Sequence, residues 1–220
     1  MTAVPPLAAV AHELRTPLGG ILGCADLLAA TALDAEQRAH LDALREAAAA
    51  LAAFADDALE LARLGDPAAH AAVRVGRCDV RATVAGVVRT LAPRAARRGL
   101  ALDVAVADDV PCHVCADAGA LRRVLVNLGA NAVRATRRGG VRFTAAVHGG
   151  ALVCAVTDTG VGMTPAQRDR LFRAWATGGA EDGVGLGLVL VAELAARMRG
   201  EIAVESAPGS GSTFALRLPV

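Results

Sequence analysis

Apolar positions in the first third of the chain fall in a rhythm of fours and threes. Leu7, Ala11, Leu14, Leu18, Ile21, Ala25 and Leu28 form one heptad seam. After a break at "TALD", Leu41, Leu44, Ala48, Leu51, Ala55 and Ala58 repeat it. Asp34 with Gln37 supplies an N-cap and its reciprocal partner for the second helix, and Gly65 and Pro67 end it. Two helices joined by a short turn make a hairpin. A single hairpin cannot cover its own apolar stripe, so the pattern predicts pairing into a dimeric four-helix bundle.

From about Val73 the period changes. Short β-like runs, "LALDVAVA", "VRFTAAVH", "ALVCAVTD", "EIAVESA" and "STFALRLPV", alternate with helical stretches around 80–98, 117–137, 164–174 and 186–199. Such alternation predicts an α/β sandwich with a mixed sheet, and the whole chain falls in the α+β class. The expected division is a helical domain over 1–66, a linker over 67–72 within "DPAAHAA", and an α/β domain over 73–220.

A length of 220 residues gives room for these two cores. The longest uncharged apolar run, Ala47 to Ala55, is far shorter than the ~20 residues a membrane span requires, and no signal peptide is visible. With 23 basic and 22 acidic residues there is no strong field to favour nucleic acid or anionic lipid. Five cysteines, an odd number without a secretory signal, predict reduced thiols in a cytoplasm. Cys112 and Cys115 form a C-x-x-C, but no second pair stands at zinc-site spacing. The stretch "PCHVCAD" reads as a short strand in which both pack.

Within the first helix, "HELRTPLGGI" carries a proline and a glycine pair just after His12. His12, Arg15, Thr16 and Gly19 share a strip beside the seam and face outwards. Pro17 cannot donate to the carbonyl of Glu13 and crowds it, at a cost of about 3 kcal/mol. Gly19 and Gly20 each add roughly 1 kcal/mol against alanine. Burial of Leu14, Leu18, Ile21 and Leu22 returns about 1.5–3 kcal/mol apiece. The helix is therefore weakened one turn after His12, as a helix that bends to bring the imidazole to another domain requires.

"HELRTPL" resembles the H-box of the sensor histidine kinases of two-component systems, and further boxes follow in the family's order. "NLGANAVRAT" resembles the N-box, "DTGVGM" the first glycine box, "LFRAW" the F-box, "GVGLGL" the second glycine box, and "GEIAVESAPGSGSTFALRLP" the closing strands. The resemblance spans about residues 7 to 219. It implies a phosphoacceptor hairpin followed by an ATP-binding sandwich of the Bergerat type, with ATP and Mg2+ as cofactors.

The residues make physical sense of the boxes. Asn127 and Asn131 lie four apart on one helix face, where amide oxygens can hold Mg2+ among phosphate oxygens, and Arg134 follows three residues on to contact phosphate. Asp158 ends an apolar strand, with Gly160 and Gly162 allowing a tight turn beside a ligand. By resemblance this Asp accepts a hydrogen bond from the adenine amino group. Gly183, Gly185 and Gly187 stand at the mouth of a helix, where free N–H groups suit phosphate. Thr213 backs the adenine pocket by resemblance.

The resemblance implies that His12 attacks the γ-phosphate of ATP and passes the phosphoryl group to an Asp of a response-regulator receiver domain. Glu13 is then the base, and Thr16 positions a water for dephosphorylating the regulator. Departures accompany the match. "ATGGAED" is a short lid carrying Glu181 and Asp182 where the family commonly has basic residues, which implies weak nucleotide retention or slow autophosphorylation. Ala135, Val184 and Trp175 replace a common aromatic, Thr and Phe. Eleven residues before His12 imply an excised core or a separate sensory protein. Three alternatives stay open here: a histidine phosphotransfer protein with a degenerate ATPase-like domain, a related ATPase of the gyrase, Hsp90 or mismatch-repair kind, and a protein that is chiefly a dimerisation module.

Overall fold

The computed structural model describes residues 7–64, 75–172 and 186–219, the side chains of residues 7–10 and 12 excepted. It divides into two compact units, one built on Met1–Ala71 and the other on Ala72–Ala176 with Leu188–Val220.

The first unit is a hairpin of α1 (Leu7–Ala29) and α2 (Ala35–Leu64). Helix α1 continues unbroken through Pro17. The predicted capping box closes the turn: Gln37 N–H donates to Asp34 Oδ1 at 2.7 Å and Asp34 N–H to Gln37 Oε1 at 3.2 Å. Ala11, Leu18 and Ala25 of α1 and Leu41, Ala48, Ala55 and Ala58 of α2 are buried between the helices. The other half of each seam is not. Ile21, Leu28, Leu44 and Leu51 remain 44%, 52%, 48% and 41% exposed. An open apolar groove of ≈ 390 Å³ is lined among others by Pro17, Gly20, Ile21, Leu28 and Leu44. Ion pairs Arg15–Asp56 and Arg45–Asp26 tie α1 to α2 along the rim.

The second unit is one layer of helix on a mixed sheet. Its elements are β1 (Gly76–Cys78), α3 (Val80–Arg97), β2 (Ala101–Val106), β3 (Val114–Ala116), α4 (Ala118–Ala135), β4 (Gly140–His148), β5 (Ala151–Asp158), α5 (Pro165–Arg168), α6 (Leu186–Arg197), β6 (Glu201–Ser206) and β7 (Ser212–Pro219). The five-stranded sheet has the order β2-β4-β5-β7-β6, in which only β2 and β4 are parallel. Asp79 caps α3 through Ala82 N–H, and Asp117 caps α4 through Ala120 N–H. Strand alternation sends Val141, Phe143, Leu152, Cys154, Val156, Phe214 and Leu216 into the core. Gly129 brings α4 close to both neighbours, since a Cβ there would stand 2.5 Å from Leu91 and 2.6 Å from Phe143.

Three expectations change. The helix expected over 164–174 is the four-residue α5 followed by turns to Phe172, because residues 164–170 are all exposed and offer no apolar stripe to bury. An additional strand, β1, pairs antiparallel with β3. Cys112 and Cys115 are both exposed rather than packed; the buried thiols are Cys78 and Cys154. Burial pushes the Cys154 thiol up to about 12 and raises that of Cys78 too. Among the described residues no helix is long and apolar enough to cross a membrane.

Candidate functional site

The register places Asp158 in a lateral row. Ser206 of β6 faces Ser212 of β7, which faces Asp158 of β5, which faces Val141 of β4. Residues paired across strands share a face, so the three polar groups lie side by side on the core-facing surface at the end of the sheet. Asp158 is 4% exposed. Gly160 N–H donates to its Oδ1 at 2.8 Å, and the Ser212 backbone N–H faces it across the register and favours the ionised form. Burial raises the Asp158 pKa, and these two donors oppose the rise.

Glycines bring the surrounding backbone together. A Cβ on Gly160 would lie 2.5 Å from the Ala135 carbonyl, so the loop after β5 runs against the end of α4. Gly162 has φ +64°, and a Cβ there would fall 1.9 Å from the Ala207 carbonyl. Gly211, at φ +76°, stands equally close to the Asp158 carbonyl. Gly209 N–H donates to Val161 O at 2.7 Å, and Met163 N–H to Ser206 Oγ at 2.9 Å. The β6–β7 turn thus clamps the 159–163 loop.

Asn127 and Asn131 are half-buried on α4, and Arg134 Nη2 donates to Asn131 Oδ1 at 2.7 Å. Arg98 Nη1 donates to the carbonyls of Val133 and Arg134, holding the end of that helix. The donor set fits a magnesium nucleotide. Amide oxygens suit a hard cation, a guanidinium suits phosphate, and a buried carboxylate with acceptor capacity left suits an exocyclic amine. Asn131 must exchange Arg134 for the cation.

Thr213 is not brought to Asp158. Its hydroxyl lies 3.0 Å from Thr157 Oγ1 on the opposite sheet face, and Ser212 is the residue beside Asp158. Alternation counted back from Phe214, Leu216 and Leu218 marks Ser212 as core-facing, a signal available in the sequence. Gly187 is half-buried near the start of α6, whereas Gly183 and Gly185, with Trp175, Glu181, Asp182 and Val184, lie outside the described residues. In the hairpin, His12 is a residue of α1 whose side chain is outside the description. Glu13 and Thr16 are exposed.

Comparison with known proteins accounts for both units. The phospho-acceptor domain model of histidine kinase A matches residues 7–67, and the model for histidine kinase-, DNA gyrase B- and HSP90-like ATPases matches residues 116–220. Sensor protein TorS of Escherichia coli K12 is 34% identical over 97% of this chain, which spans 24% of TorS. Histidine protein kinase DivJ of Caulobacter vibrioides is 36% identical over 97% of the chain, which spans 37% of DivJ. The crystal structure of full-length ShkA in complex with AMPPNP matches 98% of the chain and 46% of ShkA, at a TM-score of 0.74 and 40% identity. The histidine kinase AdeS of Acinetobacter baumannii shares the fold, at a TM-score of 0.62 and 22% identity over 94% of this chain and 97% of that one. With phosphoacceptor hairpin and ATPase unit present in that order, the chain belongs to the two-component sensor histidine kinases.

Proposed function

We propose that the chain is an ATP-dependent protein-histidine kinase core, with the phosphoacceptor domain over 1–66, a linker over 67–72 and the catalytic domain over 73–220. The observation that carries the reading is the intact Asp158 cradle on the same chain as a hairpin bearing "HELRTP". Asp158 accepts the adenine amine. Asn127 and Asn131 would hold Mg2+, which would supply neutralisation of phosphate charge, and Arg134, Gly183, Gly185 and Gly187 would contact the phosphates. An imidazole nitrogen of His12 attacks the γ-phosphorus, the bond to the bridging oxygen breaks, ADP leaves, and Glu13 takes the ring proton. The phosphoryl group then passes to a carboxylate of a response-regulator receiver domain, and Thr16 orients the water that hydrolyses the regulator's acyl phosphate.

The half-exposed Ile21, Leu28, Leu44 and Leu51 and the groove take a second copy of the hairpin, giving a homodimer in the cytoplasm. Incubation with γ-labelled ATP and Mg2+ tests the reading: acid-labile, base-stable label is expected on the chain and is lost in His12→Gln and in Asn131→Ala. Label that persists in His12→Gln overturns it. A phosphotransfer protein with a dead ATPase is disfavoured, because its cradle would have no reason to remain built.

A further inference from the structure

Ser206 stands at the far end of the lateral row, and its hydroxyl makes bonds that the chemistry above does not use. It accepts from Met163 N–H at 2.9 Å and donates to the Gly211 carbonyl at 3.0 Å, with Ser212 Oγ also 3.0 Å away. The Gly211 carbonyl and the Ser212 N–H belong to one peptide group, planar by resonance. That N–H faces Asp158 across the register and favours its ionised form. Fixing the carbonyl therefore fixes the plane, and with it the direction of the N–H. The same oxygen holds the Met163 amide and so the loop that carries Gly160, the donor to Asp158 Oδ1.

We propose that Ser206 is a positioning residue for base recognition: it holds the loop that carries the Gly160 donor and the peptide that faces Asp158 from β7, and thereby aims the remaining carboxylate acceptor at an exocyclic amine. This rests on the reading of Asp158 as the adenine-binding residue. A purine with a carbonyl in place of the amine, as in guanine, presents an acceptor to that carboxylate and is repelled only while the carboxylate is held in place. Ser206 accordingly sets discrimination between adenine and guanine nucleotides without touching either.

The experiment is equilibrium binding of ATP and of GTP, each with Mg2+, to the full chain, with thermal unfolding alongside. Asp158→Asn tests the underlying reading; ATP affinity equal to the unaltered protein would overturn that reading whatever Ser206 does. In Ser206→Ala, ATP affinity should fall about tenfold while GTP affinity changes less, narrowing the ratio of the two. Should Ser206→Ala unfold, Ser206→Thr and Ser206→Val give the answer, being matched in shape and differing in the hydroxyl. Thr should restore the ratio and Val should not. If Asp158→Asn loses ATP and the ATP-to-GTP ratio is the same with and without the hydroxyl, Ser206 is only a structural group and the proposal fails.

Discussion

The two units are finished to different degrees. Between α1 and α2 the buried residues are mainly alanines, and the large side chains Ile21, Leu28, Leu44 and Leu51 stay exposed. In the α/β unit Phe143, Leu121, Leu125, Leu128, Leu152, Leu190 and Leu216 are fully buried. The contrast teaches that the α/β unit encloses its own core, whereas the hairpin leaves half of each seam open to the second copy proposed above. Stability of the α/β unit is a property of one chain, and the proposed pairing makes that of the hairpin depend on concentration.

The hardest blow to the α/β unit is Gly162→Ala. A side chain at φ +64°, 1.9 Å from a carbonyl, forces the clamp open, and a loss of about 3 kcal/mol or more is expected in chemical denaturation. The hairpin should be unaffected. Asp158→Asn comes next and separates function from fold. ATP affinity should fall about a hundredfold while thermal stability at neutral pH is kept or raised, because the Asn keeps an acceptor for Gly160 and sheds a buried charge.

The same residue predicts opposed pH responses. Its folded pKa is raised, so its contribution to stability is present below the unfolded value and lost as pH rises through the folded one. ATP binding, which uses the ionised form, weakens as pH falls through that folded value. Titrating affinity and unfolding in parallel checks both signs, and Asp158→Asn should flatten both.

A milder perturbation targets the unfinished unit. Ile21→Ser with Leu44→Ser should raise the dimer dissociation constant at least about tenfold in analytical ultracentrifugation, with the α/β transition unmoved. Weakest of all, Arg45→Ala removes a partly exposed ion pair with Asp26 and should cost less than about 1 kcal/mol, fading with salt.

How much could be read beforehand also differs between the units. Both helices of the hairpin and its cap follow from the heptads and from Asp34–Gln37, because these signals are local. The long strands and the main helices of the α/β unit were legible from alternation for the same reason. Strand β1 holds three residues, too few for a period, whereas β3 falls in the stretch "PCHVCAD" that reads as a short strand; the length of α5 depends on the absence of anything to pack against. The row Ser206–Ser212–Asp158 is a fact of register between residues up to 54 apart, which no local pattern carries. Thr213 is the opposite case: the motif names a pair of hydroxyls, and alternation counted back from Phe214 already marks Ser212 as the core-facing one.

The distribution of sulfur provides a readout of the fold. Cys24, Cys112 and Cys115 are open to a thiol reagent, while Cys78 and Cys154 are sealed in the α/β unit, the latter with a thiol that stays protonated until about pH 12. With a single tryptophan and no tyrosine, the chain offers little intrinsic fluorescence. Counting modified sulfurs by mass serves instead. Modification of Cys78 and Cys154 reports the opening of that unit, while Cys24, which lines the groove of the hairpin, reports whether that groove is covered.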